Sequence, residues 1–328
     1  MENNSIVKIG ILGCANIAQR SIIPEIIKLN KLFELIGIAS RDITKATNCA
    51  DKFNTKPFLD YQSLIDDPEI QAVYIPLPNS LHAEWINKAL DKGLHVLVEK
   101  SLACNYNEVN QLNKKAEEKK LTLMENFQFR FHSQLAEIKK MVDDGVIEEL
   151  RTIRSSFGFP PFPDDDNIRY NKNLGGGALL DAGAYPLKIS RIFMGSDIEV
   201  ASASLKYDPE KEVDIWGGAT IKQINGDLFS QVAFGFDHYY QCNLELWGSK
   251  GKISTNRIFT APPGYEPTIL LETSQGTKEI KLPADNHFEK MLIHFQKTIL
   301  HPEIAIKEYS QNNLQAKLIE QLKNKANE

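Results

Sequence analysis

Hydrophobic positions in the first third of the chain come in short, dense runs separated by stretches of helical spacing. Residues 6–12 read Ile-Val-Lys-Ile-Gly-Ile-Leu, β-branched and mostly apolar, which is the pattern of a strand covered on both faces. Residues 16–30 place Ile17, Ala18, Ile22, Ile26 and Leu29 close to helical spacing, and 33–40 return to a strand-like run. The alternation continues with a helix near 42–53, a weak strand at 55–59, a strong one at 72–77, a helix at 80–92, a buried strand at 95–99, a charged helix at 105–119 and a last strand at 121–127. Strands alternating with helices predict a parallel sheet. Beyond about residue 125 the rhythm changes. Residues 151–159, 198–207, 216–224, 227–236, 242–248 and 252–255 read as successive strands with few helices between them, which predicts a second, largely antiparallel sheet. Two helices interrupt or close it, one after Gly177 and one over 285–300, and a charged terminal helix is expected near 310–325. The expected domains are therefore 1–125 and 126–328, with the terminal helix free to pack back on the first. No repeat of solenoid period is present, and the Lys/Glu-rich stretch 114–120 reads as a solvated helix face.

The length of 328 residues suits two domains. A composition that is 42% hydrophobic and 25% charged excludes a mainly disordered, collagen-like or fibrous chain. Lys and Arg total 38 against 43 Asp and Glu, a net charge of −5, so there is no basic field to hold nucleic acid phosphates. Cys14, Cys49, Cys104 and Cys242 lie far apart with no CxxC pair, which gives neither a zinc-ribbon spacing nor a dense disulfide framework and fits a reducing compartment. Met1-Glu2-Asn3-Asn4 puts no basic segment ahead of an apolar run, and no apolar stretch nears the ~18 residues that span a bilayer. The expected setting is cytoplasmic, without a membrane partner. No metal is expected either: Asp164-Asp165-Asp166 follow Pro163 in a Pro-rich loop, and no His pair has HExxH spacing.

Four segments could carry chemistry. Gly13-Cys14-Ala15-Asn16-Ile17-Ala18 lies where the first strand hands over to the first helix, the position of a dinucleotide-phosphate turn. It is a degraded GxGxxG, with Ala15 and Ala18 for the second and third glycines. The backbone N–H groups and partial positive charge of a helix start suit a pyrophosphate; a plain strand-to-helix turn is the alternative. At the end of the second strand, where an NAD enzyme carries an acidic residue for the ribose hydroxyls, this chain has Ser40-Arg41. A hydroxyl beside a guanidinium suits a 2′-phosphate and favours NADP, while the neighbouring Asp42 leaves room for NAD.

The third segment, Pro76-Leu77-Pro78-Asn79-Ser80-Leu81-His82, follows an apolar strand, as does Glu99-Lys100. Ligands of open parallel sheets bind beyond the carboxyl ends of strands, which recommends Lys100. Asn79 is either an N-cap or a cofactor contact, and His82 either a surface residue or a pocket group. Glu99 and Lys100 point to opposite faces of a strand and do not form a simple ion pair. The fourth segment runs from Asn167-Ile168-Arg169-Tyr170 to Gly175-Gly176-Gly177-Ala178-Leu179-Leu180-Asp181-Ala182-Gly183-Ala184-Tyr185. Three glycines permit a ligand to approach the backbone closely, Gly183 inside a helix implies tight packing against another backbone, and Asp181 and Tyr185, four apart, share a helical face. They make either a site or a buried structural hydrogen bond.

Taken together, the fingerprint at Gly13, Ser40-Arg41, the Pro-Asn-x-x-His segment at 78–82, Glu99-Lys100 and the Gly-Gly-Gly-Ala-Leu-Leu-Asp run at 175–181 resemble the Gfo/Idh/MocA oxidoreductases. The resemblance covers nearly the whole chain. It implies an α/β Rossmann nucleotide-binding domain and an α+β domain whose large open, mainly antiparallel sheet joins subunits, as a homodimer or homotetramer. It also implies NADP, or less readily NAD, used to oxidise or reduce a hydroxyl or ketone of a sugar. By that resemblance Gly13, Ala15, Asn16, Ile17, Ser40, Arg41, Pro76, Leu77, Asn79, His82, Glu99 and Lys100 bind the cofactor, with His82 and Asn79 at the nicotinamide end. Arg169, Asp181 and Tyr185 bind substrate. Lys100, Tyr185 and Asp181 are catalytic: Tyr185 gives a proton to the developing alkoxide, Lys100 tunes it and steadies the oxyanion, and Asp181 orients a sugar hydroxyl. Two departures stand out. Ser101 replaces the proline of the family's Glu-Lys-Pro, which removes the residue that most readily accepts a cis bond and puts the placement of Lys100 in question. Tyr185 stands where many sugar and inositol dehydrogenases carry His, as in the branch of sugar 3-ketoreductases and dihydrodiol or xylose dehydrogenases. The wording from Glu125 to Gln134 looks most like reductases of nucleotide-linked 3-keto deoxysugars. The alternatives are NADP-dependent oxidation of free aldoses or trans-dihydrodiols, and a non-catalytic NAD(P)-binding regulator.

Overall fold

The computed structural model describes residues 6–164 and 167–328. Met1 to Asn4 and the pair Asp165-Asp166, on which the leader and metal expectations partly rested, lie outside the described residues. The chain divides into two compact units. One holds the residues up to Asn126 together with Phe288–Asn313, and the other holds Phe127–His287 with Leu314–Glu328.

In the first unit β1 (Val7–Leu12) leads through a π-helical turn (Ala18–Ile22) into α1 (Ile23–Lys28), followed by β2 (Phe33–Ala39), α2 (Ile43–Lys52), β3 (Lys56–Phe58), α3 (Tyr61–Ile65), β4 (Ala72–Ile75), α4 (Asn79–Asp91), β5 (His95–Glu99), α5 (Tyr106–Glu118) and β6 (Leu123–Asn126). The strands form one sheet in the order β3-β2-β1-β4-β5-β6, with every pairing parallel. Such a sheet is covered on both faces. Ile9, Ile11, Val73, Tyr74, Val96 and Leu97 are accordingly fully buried, which is why these strands read as unbroken apolar runs. Strand order reverses between β1 and β4, so the turns leaving those two strands flank the switch point of the sheet, where open α/β sheets bind ligands.

The second unit contains α6 (Ser133–Asp143), β7 (Leu150–Gly158), a further π-helical turn (Leu179–Gly183) leading into α7 (Ala184–Met194), and the strands β8 (Ile198–Tyr207), β9 (Asp214–Gln223), β10 (Phe229–Gly235), β11 (Gln241–Gly248), β12 (Gly251–Asn256), β13 (Thr268–Thr273) and β14 (Gly276–Lys281). They form an open eight-stranded sheet, β14-β13-β12-β11-β7-β10-β9-β8, antiparallel except between β10 and β7. One face packs on α7 through Ile153, Phe157, Val232, Phe234 and Leu244. The other is wet and carries Trp216 and Trp247, the latter under the Arg154 guanidinium at 3.9 Å. Four of the helices and strands named here lie outside the sequence expectation, the first being the short helix α3. α6 buries Leu135, Ile138 and Met141 at three-residue spacing, a helical signal in a stretch to which the sequence reading assigned no element. β13 and β14 form an edge hairpin, and the last strand has no buried residue.

The chain ends in α8 (His287–Leu300) and α9 (Pro302–Lys325), the latter beginning earlier than its charged half suggests. Its first turns belong to the first unit and dock by hydrogen bonds. Tyr309 donates to the Leu121 carbonyl at 2.5 Å, and Asn312 donates to Asn113 Oδ1 and the Leu123 carbonyl, each at 3.0 Å. Asn312 is 1% exposed, so both acceptors depend on it. Replacing Asn312 by Leu strands two buried oxygens and is expected to cost about 2–4 kcal/mol of unfolding free energy, read as a lower urea midpoint. An unchanged midpoint would mean that water reaches those oxygens.

Candidate active site

In the first unit the expected cofactor residues gather at the carboxyl ends of β1, β2, β4 and β5. Gly13 closes β1 with φ +122°, and a Cβ there would sit 3.0 Å from the Leu77 side chain and 3.8 Å from the Pro76 carbonyl. Glycine is thus required twice, for its backbone angle and for the approach of the β4 turn. Ala15, Asn16 and Ile17 open the following helix. Its first bonds run from Gln19 to the backbone, with the amide N–H donating to the Ala15 carbonyl at 3.1 Å and Nε2 to the Cys14 carbonyl at 2.8 Å. Ile17, which precedes the π-helical turn, makes no side-chain cap.

At the end of β2 lie Ser40, Arg41 and Asp42. The Asp42 carboxylate caps α2, accepting from the N–H groups of Thr44 at 2.9 Å and Lys45 at 3.3 Å. Both bonds fall on Oδ1, so the helix start takes up one oxygen of the carboxylate. Ser40 is buried and its Oγ accepts from the Asp42 N–H at 3.3 Å, while Arg41 is exposed. The half-buried Cys14 thiol lies in the same corner, donating to the Lys45 carbonyl at 3.6 Å, and burial raises its pKa. The donor set at this corner fits a phosphorylated dinucleotide.

At the ends of β4 and β5, three expectations change. Asn79 is the first residue inside α4, and the N-cap position belongs to Pro78, so Asn79 is not the cap. His82 is neither at the surface nor lining the nicotinamide end directly. Its ring is fully buried, with Nδ1 2.7 Å from the Ser101 carbonyl and Nε2 2.8 Å from the Leu77 carbonyl. It therefore ties the turn after β4 to the segment after Lys100, and any influence on a ligand passes through those loops. The Lys100–Ser101 peptide is cis although residue 101 is serine. Glu99, whose carboxyl is enclosed, accepts from the Tyr74 hydroxyl at 2.5 Å and from Asn126 at 2.7 Å. Burial pushes its pKa up, against those two hydrogen bonds and the nearby Lys100. Lys100 thus leaves a strand end whose side chains are fixed from both neighbouring strands.

In the second unit Gly176 and Gly177 make room for the protein's own groups. A Cβ at Gly176 would collide with the Arg169 carbonyl, and one at Gly177 with the Asp214 carboxylate. The close approach read as a ligand's is therefore made by Asp214. Its carboxylate accepts from the Leu179 N–H at 2.5 Å and props the start of the helix that carries Asp181 and Tyr185. Burial raises the Asp214 pKa, and hydrogen bonds from Leu179 and Ala178 oppose it. Gly183 makes room for the Phe234 ring, 3.0 Å from a Cβ built there, rather than for a backbone. Arg169 and Asp181, both expected at the substrate end, are ion-paired, with Nε donating to Oδ2 at 2.6 Å and the guanidinium 4.7 Å from the Phe162 ring. Tyr185 is 7% exposed within four phenylalanine rings, at centroid distances of 5.6 Å (Phe127), 5.8 Å (Phe129), 5.0 Å (Phe157) and 5.4 Å (Phe259). The ring is held on several sides, which fixes where its hydroxyl points. Sequence reading missed Asp214 and this cage; the runs Phe127-Gln128-Phe129 and Phe157-Gly158-Phe159 were the available signal. Among the described residues there is no group of three or more His, Cys, Asp or Glu that could hold a metal ion, and no helix is long and apolar enough to cross a membrane.

The enclosure of His82 has a thermodynamic signature. Burial lowers its pKa from 6.5 to about 4, and contacts to the Ser101 and Leu77 carbonyls only partly oppose this. The unfolded chain then binds a proton that the folded one refuses between pH 6.5 and 4. Stability is full above pH 6.5 and falls as pH drops through that window, by about 1.4 kcal/mol per pH unit for this group. His82→Gln is expected to flatten the acid limb of unfolding free energy against pH by that slope. Parallel curves for the two proteins would show that His82 titrates normally when folded.

Residues 7–127 match the family model described as "Oxidoreductase family, NAD-binding Rossmann fold", and residues 135–254 match the GFO/IDH/MocA C-terminal domain. The chain is 38% identical to a dTDP-3,4-didehydro-2,6-dideoxy-α-D-glucose 3-reductase of Actinomadura kijaniata, over 97% of this chain and 95% of that one. It is 37% identical to an NADP(+) D-xylose 1-dehydrogenase of Haloferax volcanii, over 82% and 80% respectively. Among solved structures, a 3-ketoreductase from Actinomadura kijaniata in complex with NADP and TDP-benzene superposes with a TM-score of 0.94 at 36% identity, covering 98% of both chains. Variants of that enzyme with a lysine changed to alanine or glutamate, or a tyrosine to phenylalanine, have been solved as well. With the parallel sheet, the glycine turn and the open second sheet all in place, this chain belongs to the Gfo/Idh/MocA family of oxidoreductases.

Proposed function

We propose that this protein is an NADPH-dependent reductase of a nucleotide-linked 3-keto deoxysugar, with the first unit (residues up to Asn126 and Phe288–Asn313) as the dinucleotide-binding domain and the second as the substrate domain. The reading is carried by the similarity, along almost the whole chain, to a reductase of a dTDP-linked keto sugar. The commitment of Asp42 to α2, beside an exposed Arg41, supports the phosphorylated cofactor. Gly13, Ala15, Asn16 and Ile17 offer backbone N–H groups to the pyrophosphate, and Ser40 and Arg41 hold the 2′-phosphate. Pro76, Leu77 and Asn79 line the turn after β4, and His82 and Glu99 hold the loops from which Lys100 projects.

The reduced nicotinamide, when bound, supplies the hydride. Tyr185 delivers a proton to the oxygen that becomes the alcohol, and its phenylalanine cage spares it any search for orientation. Lys100 contributes positive charge at that oxygen. Asp181, ion-paired with Arg169 at 2.6 Å, accepts a hydrogen bond from a sugar hydroxyl and orients the ring. Similarity to an aldose dehydrogenase favours a second reading, oxidation of a free aldose with NADP by the same residues run in reverse.

Turnover with NADPH and a dTDP-linked 3-keto deoxysugar, compared with NADP and free aldoses, separates the two. Tyr185→Phe keeps the ring in its cage and removes only the hydroxyl. It is expected to lower kcat about 100-fold or more with the Kd for NADPH within twofold of wild type. Near wild-type turnover in the variant would transfer the proton-donor role to Lys100.

A further inference from the structure

Arg151, Arg154 and Arg169 of the second unit are each paired with a carboxylate. Arg257, just beyond the end of β12, is exposed and differently placed. Among the described residues its guanidinium meets no carboxylate or other hydrogen-bond acceptor; it lies 5.3 Å from the Tyr240 ring and 6.0 Å from the Tyr265 ring. Aromatic neighbours steady a guanidinium and leave its N–H donors to a ligand.

The mount of Arg257 is built from both sides. Its backbone is left-handed, with φ +52°, a conformation that residues other than glycine rarely adopt. Gln134 Nε2 donates to the Asn256 carbonyl at 3.2 Å, and the Ile258 N–H donates to the Cys242 carbonyl at 3.3 Å. Between those two ties the chain turns Arg257 outward, while Ile258 and Phe259 are buried. The tyrosines are placed as well. The Tyr240 hydroxyl lies 2.9 Å from Thr260 Oγ1. Tyr265 closes a turn in which its N–H donates to the Pro262 carbonyl at 3.0 Å and Gly264 takes φ +88°, the form of a type II turn with Pro263 at its second position. Phe259, two residues beyond Arg257, is a wall of the Tyr185 cage at 5.4 Å. In a nucleotide-linked 3-keto sugar one ring carbon separates the keto carbon from the carbon that bears the diphosphate, so a sugar presented to Tyr185 carries its diphosphate along close by.

We propose that Arg257, held between Tyr240 and Tyr265, binds the diphosphate of the nucleotide half of the substrate and thereby selects linked sugars over free ones. The inference rests on the reductase reading above. A guanidinium meets phosphate oxygens through charge-assisted, often bidentate hydrogen bonds. Tyr240 is a positioning residue, acting through Arg257.

Calorimetric titration of the NADP-saturated enzyme with thymidine 5′-diphosphate tests this without turnover. Arg257→Gln is expected to weaken binding about tenfold or more, with the Kd for NADPH within about twofold of wild type. Tyr240→Leu is expected to weaken it about threefold, and to add nothing in an Arg257→Gln background. In turnover with NADPH and a dTDP-linked 3-keto deoxysugar, Arg257→Gln is expected to raise KM and leave kcat little changed. Unchanged diphosphate affinity in Arg257→Gln, an equal loss of NADPH affinity, or a wild type that reduces the linked sugar without binding the diphosphate would overturn the role of Arg257 and leave the reductase reading intact. A loss from Tyr240→Leu that persists without Arg257 would overturn the positioning role. A wild type that neither binds thymidine 5′-diphosphate nor reduces the linked sugar would overturn the reductase reading and this inference with it.

Discussion

A helix must find acceptors for the backbone N–H groups of its first turn, and three helix starts in this protein meet that demand in different ways. Asp42 answers for α2, and Asp214, reaching across from β9, answers for the helix that carries Asp181 and Tyr185. For the helix after Gly13, Ile17 ahead of the π-helical turn makes no side-chain cap. Each choice has a chemical consequence. Using Asp42 Oδ1 on α2 ties one oxygen of that carboxylate to the helix start, beside an exposed Arg41. Spending Asp214 on the second start fixes the direction of the helix that presents a carboxylate and a phenol. Leaving the first start uncapped keeps its amides for an anion.

The same economy governs the interior. Tyr185, Glu99 and His82 are each held by protein groups from several elements: four aromatic rings for the first, the neighbouring strands β4 and β6 for the second, two backbone carbonyls for the third. Enclosure fixes geometry at an electrostatic cost. The cost appears as a raised pKa for Glu99 and a lowered one for His82.

Much of the fold was legible because buried parallel strands have no polar face to disguise them. Residues 95–99 read as a strand from the apolar run alone, and β5 is His95–Glu99. The failures have physical causes. The edge strand β14 buries nothing and so carries no hydrophobic period, while α6 shows its helical spacing in only three residues. In the candidate site, residue types were legible and their partners were not. Asp42 as a cap, Asp214 as the neighbour of Gly177, and His82 as a tie between two loops depend on contacts across 2, 37 and 19 positions of sequence, and of these only the first leaves a local signature. Gly176 and Gly177 signalled close approach correctly but not what approaches.

The central claim is that hydride passes from NADPH to carbon 3 of a nucleotide-linked keto sugar. Incubating the enzyme with NADPH deuterated at either face of nicotinamide carbon 4, together with a dTDP-linked 3-keto-2,6-dideoxysugar, tests it most directly by mass spectrometry and NMR of the product. The expected result is a single deuterium at sugar carbon 3 from one of the two labelled cofactors. An unlabelled product from both, or no consumption of NADPH, would contradict the account.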